Sequence, residues 1–197
     1  MAWPPGWSPP AFGNLVYHAD QDVLALAVLY DSGLIVPAMF HGAHAVEKYL
    51  KALALALTVP DEHLRASGPP KWMWTYDLVQ IADRCSPSLP SYGTQGVRDK
   101  LGRFSTFNEN ARYPWSKSPS GFVLSRDLDD LKELILRLRR DLPIVVDDYV
   151  LGLAVRGHFH REPNRPANQG GLSGEQSAVP ALRRLFGDAD LHSLVRW

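Results

Sequence analysis

Apolar positions along this chain recur at steps of three and four far more often than at steps of two, the spacing of helices that bury one face. The run Pro37–Leu57 carries the strongest such pattern: Met39, Ala43, Val46, Leu50, Leu53 and Leu57 share one stripe. Pro37 suits the first turn, where a missing N–H costs least. A preceding helix is predicted from about Val16 to Asp31, with Val16, Val23, Ala27 and Tyr30 inward and Ser32-Gly33 as its stop. Pro60 closes the long helix, and Asp61–Trp74 reads as a loop. Thr75 is placed to cap a short helix through Arg84, with Leu78, Ile81 and Ala82 inward. Val97, Leu101 and Phe104 predict a helix over Gln95–Phe107, and Leu124, Leu128, Leu131, Ile135, Leu138 and Leu142 predict one of bundle type that Pro143 ends or kinks. Ile144–Leu153 reads as a further helical piece in the absence of any partner strand. The class is all-α.

The two ends differ from this middle. Residues 1–13 hold four prolines beside Trp3 and Trp7 and read as an extended arm. Residues 154–197 form a C-terminal extension, rich at first in Gly, Asn, Pro, Arg and His. It then offers short helices around Val179–Phe186 and Ala189–Val195, separated by Gly187. Neither is long enough to stand alone in water, so each is expected to dock on the bundle, residues 14–153, or on a partner.

Composition narrows the function classes. Lysine plus arginine and aspartate plus glutamate both total 21 in 197 residues, so bulk charge gives no case for nonspecific binding to nucleic acid or membrane. The one cysteine, Cys85, excludes an intrachain disulfide and an all-cysteine metal site. With no basic start followed by an apolar run, and no charge-free apolar run of about 18 residues, a cytoplasmic protein without membrane association is expected.

Candidate chemistry lies in two places. His41, His44, Lys48 and Lys51 fall within about 80° of one another on a helical wheel, opposite the apolar stripe. This edge is either a solvated face, with Glu47 and Lys51 as an i, i+4 ion pair, or a contact surface for an anion. Between Arg98 and Arg126, the basic residues Lys100, Arg103, Arg112 and Lys117 alternate with Phe104, Phe107, Tyr113 and Trp115. Cations for phosphate and rings for bases are the ingredients of nucleotide or single-strand binding, and an ordinary helix–loop–helix corner is the alternative. The carboxylates Asp127, Asp129 and Asp130 read as a solvated face. His41 with His44, and His158 with His160, lack the further ligands a metal requires. No phosphate-loop, dinucleotide or nucleophile-elbow motif is present, so no cofactor is expected.

Three segments in order carry a family resemblance: Phe40-His-Gly-Ala-His-Ala-Val-Glu-Lys-Tyr-Leu-Lys-Ala-Leu53, Thr75-Tyr-Asp-Leu78 and Asn108-Glu-Asn-Ala-Arg-Tyr-Pro114. Together they resemble the signature of HEPN domains, in which a helix with an A-x-E-K-x-L-K-A pattern precedes a T-H-D-L helix start and a loop ending in R-Y-P. The resemblance spans about Val16–Asp148. It implies a four- to five-helix up-and-down bundle, a homodimer, a nucleotidyltransferase as partner, and nucleotide or RNA as ligand. Many family members are metal-independent ribonucleases, some of them toxins, that use an arginine followed after four to six residues by a histidine. Here Arg156/His160 and Arg184/His192 each miss that window by one residue, and Tyr76 replaces the histidine of T-H-D-L. A phenol of pKa about 10 cannot shuttle protons at neutral pH. A noncatalytic binding module is therefore expected, with Lys48, Lys51, Arg112, Tyr113 and His44 as ligand contacts. Arg112 suits a bidentate phosphate contact and the lysines act as point charges. A ribonuclease recruiting His41, His44 or His158, and a pure interaction module, are the alternatives.

Overall fold

The computed structural model of the chain describes residues 12–112, 124–142 and 178–194. These residues form seven α-helices: α1 (Gly13–Asp31), α2 (Ile35–Thr58), α3 (Asp61–Ser67), α4 (Leu78–Cys85), α5 (Gln95–Arg112), α6 (Leu124–Asp141) and α7 (Val179–Leu194). Two short 3-10 turns, Lys71–Trp74 and Pro90–Gly93, complete the described secondary structure, which contains no strand. The arm over 1–11, the loop over 113–123 and the segment Ile144–Leu153 lie outside the described residues.

α2 is the central helix, packing against α1, α4, α5 and α6. Its burial extends beyond one stripe: Ala38, Ala45, Tyr49, Ala52 and Ala54 are buried along with Met39, Val46, Leu50 and Leu53. Small residues explain how so many neighbours fit. A Cβ on Gly42 would overlap Leu131 of α6 and stand 3.2 Å from Leu26 Cδ2 of α1, so glycine lets three helices meet at one level. α1 and α2 form a hairpin closed at Gly33, whose φ of 76° supplies the left-handed residue the tight turn requires.

Several boundaries differ from those the sequence predicts. α1 begins at Gly13, and Tyr30 faces outward. Asp61–Trp74 is no loop: it forms α3 and a 3-10 turn, each too short to show a periodic pattern. The cap of α4 is Asp77, whose Oδ1 accepts from the N–H groups of Val79 (3.0 Å) and Gln80 (3.1 Å). Thr75 acts one step earlier, its Oγ1 accepting from Asp77 N–H at 3.1 Å. α5 runs on to Arg112, past the predicted stop.

α7 docks on α1 and α6 through Leu182, Leu185, Phe186, Leu191 and Leu194, and breaks at Gly187, where φ is 78°. Burial of these side chains supplies what so short a helix lacks alone. Arg184 chelates Asp31 of α1, with Nη2 to Oδ2 at 2.6 Å, and this hydrogen bonding lowers the Asp31 pKa. Beneath α7, Arg139 of α6 is 2% exposed. Its Nη1 lies 3.1 Å from Asp20 Oδ1, and its Nη2 donates to the Leu194 carbonyl at 3.2 Å. Tyr49 donates to the same Asp20 oxygen. Three helices, α1, α2 and α6, thus meet at one buried carboxylate, and Arg139 ties α7 to it.

Candidate functional site

The side of α2 that faces α3 and the 3-10 turn Lys71–Trp74 borders a cleft of about 450 Å³, within the range of small-molecule sites, about 300–1,000 Å³. Glu47, Lys51 and Leu55, one turn apart on α2, form one wall. Leu15 of α1 and Leu64 of α3 face it, and Pro69, Met73, Trp74 and Tyr76 close the side toward α4. The lining is largely apolar, with one charged pair.

That pair is Glu47 and Lys51, joined at 2.7 Å between Nζ and Oε1. The two residues are 6% and 7% exposed. The sequence reads this contact as a helix-surface ion pair; the structure corrects it to a buried one, set in the wall of a cleft that residues of α1, α3 and the 3-10 turn also line. The aromatic groups behave oppositely. Trp74 is 73% exposed and Tyr76 50% exposed. Tyr76 lies with its ring centroid 5.4 Å from Lys51 Nζ, inside cation–π range. The Thr75 and Asp77 contacts fix the backbone on either side of Tyr76. The Thr75-Tyr-Asp-Leu78 segment and the Glu47-to-Lys51 stretch therefore meet at this cleft.

From Lys51 the polar edge of α2 continues away from the cleft through Lys48, His44 and His41. Lys48 donates to Asp22 Oδ2 of α1, and His41 Nδ1 lies 2.9 Å from Asp22 Oδ1. His44 stacks obliquely on Phe40, with centroids 4.0 Å apart. On α1, exposed His18 shares a face with Leu15 and Asp22. The edge thus holds three histidines and two lysines against Asp22 and Glu47.

The second basic region resolves differently. Phe104 and Phe107 are core residues. Lys100 reaches Asp130 Oδ1 at 2.9 Å and also Glu133, while Arg103 pairs with Asp130 and stands 3.4 Å from Asp127 Oδ1. Arg98 pairs with Asp83. Asp127 and Asp130 are buried, which corrects their reading as a solvated face; only Asp129 matches it. The carboxylates that neutralise Lys100 and Arg103 come from α6 and the one that neutralises Arg98 from α4, so no count of charges within the segment itself could reveal them. Arg112 closes α5, but its side chain and all of Tyr113 lie outside the described residues.

Of the residues predicted from sequence, the structure places Lys48, Lys51 and His44 along one edge and Lys51 in the cleft. Glu47, Trp74, Leu15 and Asp22 were not among them. Glu47 was signalled only by its i, i+4 relation to Lys51, and Trp74 by nothing local. Cys85 is buried and its thiol is pushed up to about 12 by desolvation, which removes it from nucleophilic chemistry at neutral pH. Among the described residues, no group of three or more His, Cys, Asp or Glu side chains is placed to hold a metal ion. No helix among them is long and apolar enough to cross a membrane. Comparison with protein-family models, curated proteins and solved structures finds no match to the chain.

Proposed function

We propose that this chain is a noncatalytic HEPN-like module that binds a nucleotide or single-stranded RNA, the base entering the cleft and the phosphates following the edge of α2. The observation that carries this reading is the pairing of exposed aromatic faces, Trp74 and Tyr76, with a recessed charged wall, Glu47 and Lys51, around one cavity. Exposed rings offer stacking to any base. Lys48 supplies a cation, and the histidines beyond it supply ring N–H donors, along the track that a phosphate chain follows. The resemblance to HEPN domains supports the same assignment, since two of its three segments border the cleft, and it adds a homodimer and a nucleotidyltransferase partner.

Calorimetric titration of nucleoside monophosphates into the full chain tests this reading. Trp74→Ala is expected to weaken binding about 5- to 150-fold, the value of one base–aromatic stack of about 1–3 kcal/mol. Unchanged affinity, or no binding by the unaltered protein, contradicts the assignment. The Arg112 contribution is separate: Arg112→Ala should weaken nucleotides without changing the melting temperature, and unchanged affinity removes it from the site.

One observation favours a second reading. Asp22 holds His41 by Nδ1, the arrangement that orients an imidazole for proton transfer. On that reading the chain cleaves single-stranded RNA without metal, and His41→Ala abolishes cleavage; cleavage that survives the substitution refutes it.

A further inference from the structure

Leu15, Leu55, Leu64, Pro69, Met73 and Trp74 line the cleft with apolar surface, and its one charged pair is neutral as a whole. Such a lining suits an uncharged ring. The chain carries rings of that kind itself. Residues 1–11, Met-Ala-Trp-Pro-Pro-Gly-Trp-Ser-Pro-Pro-Ala, hold two indoles and four prolines and no charged side chain. They join the bundle at the edge of the cleft. Phe12 is 8% exposed and its carbonyl accepts from Leu15 N–H at 3.0 Å, so the start of α1 is held in the core one turn from a lining residue. Trp7 stands five residues before Phe12. A segment of that length spans about 15 Å in polyproline II geometry, which brings the indole within reach of the cleft.

We propose that the Trp7 indole of the same chain occupies the cleft and that a nucleotide base binds by displacing it. The displacement rests on the nucleotide reading above, whereas the seat rests on the cleft and on where the chain enters it. An indole buries a large apolar area, and in water two of them on an uncharged segment are an association liability. Prolines restrict the segment before it docks, so less freedom is lost on docking, the property by which Pro-rich segments are taken up in aromatic-lined grooves. A short tether also holds the ring near the cleft at an effective concentration of roughly millimolar order, which no free ligand matches at low dose. Trp7 rather than Trp3 takes the seat because its tether to Phe12 is the shorter of the two. A site filled in this way binds its ligand more weakly in proportion to the fraction of molecules left open.

NOE spectroscopy on the full chain without added ligand tests the seat. Contacts are expected between the Trp7 ring protons, identified by their loss in Trp7→Ala, and the methyl groups of Leu64 and Met73, and they should persist on dilution. Their absence overturns the proposal. Contacts that fade on dilution assign the cleft to the arm of a second copy and overturn it as well. Calorimetric titration with AMP, GMP, CMP and UMP then tests displacement, the folding of each variant being checked by thermal melting. Trp7→Ala is expected to tighten nucleotide binding about tenfold, the factor for a cleft that the arm fills about nine-tenths of the time. Trp3→Ala should change it by less than about threefold, since the nearer indole remains. Affinity that is unchanged or weakened in Trp7→Ala overturns displacement. Contacts of Trp7 with Leu64 and Met73, together with no nucleotide binding by either protein, uphold the seat and overturn the nucleotide reading.

Discussion

Two regions of this molecule look alike as sequence and unlike as structure. The α5–α6 face and the edge of α2 each combine basic residues with aromatic ones, and each contains close ion pairs. On the α5–α6 face, the rings of Phe104 and Phe107 are buried, and Lys100 and Arg103 bridge to Asp130 of the neighbouring helix. At α2 the exposure is reversed, with Trp74 and Tyr76 open and Glu47 and Lys51 recessed beside a cavity. Basic and aromatic residues together do not make a binding surface; the rings must be accessible and the charges must border space a ligand can enter.

The largest expected effect sharpens what an ion pair without such space does. The Asp20–Arg139 contact lies in the core away from the cleft, so Arg139→Ala, which takes the guanidinium from a buried carboxylate, should cost about 3–5 kcal/mol in chemical denaturation. A loss below about 1 kcal/mol would show that water reaches this carboxylate. Next in size is Gly42→Ala, where the added methyl overlaps Leu131 and should cost about 1–3 kcal/mol by overpacking. An unchanged melting temperature would show that α2 and α6 separate without strain. Smallest is Arg103→Ala on the α5–α6 face, expected to cost no more than about 1 kcal/mol and to leave nucleotide affinity unaltered. A clear loss of affinity there would break the distinction between the two regions.

Alkaline pH acts on the buried acids. Burial raises the pKa of the Tyr49 phenol well above 10.0 and that of the Cys85 thiol from 9.0 to about 12. In both, the folded state favours the neutral form, so their contribution to stability is complete below pH 9.0 and declines as pH rises through the folded values. Denaturant midpoints should fall steadily above pH 9, and a flat profile to pH 12 would contradict this.

Local pattern reveals α2, α4, α5 and α6 because each buries a stripe long enough to repeat. It fails at α3, whose seven residues between Pro60 and Gly68 offer Leu64 as their one large apolar side chain and so no stripe, where the eight of α4 bury Leu78, Ile81, Ala82 and Cys85. Because the cleft is walled by that unrecognised element, its shape was illegible even though Lys51 and Tyr76 could be singled out. The basic region of α5 failed for another reason: its counter-charges, Asp127, Asp130 and Glu133, belong to a different helix, and pairing across a bundle is a tertiary fact. The Asp20–Tyr49–Arg139 contact is likewise invisible to any local window.

The most direct test of the account is a two-dimensional NMR titration of the full chain with an equimolar mixture of the four nucleoside monophosphates, the Trp74 indole assigned by Trp74→Phe. Saturable shifts are expected at Trp74, Tyr76 and the amides around Lys48 and Lys51, with the amides of Lys100 and Arg103 unmoved. Shifts centred on the α5–α6 face, or none at Trp74, would contradict it.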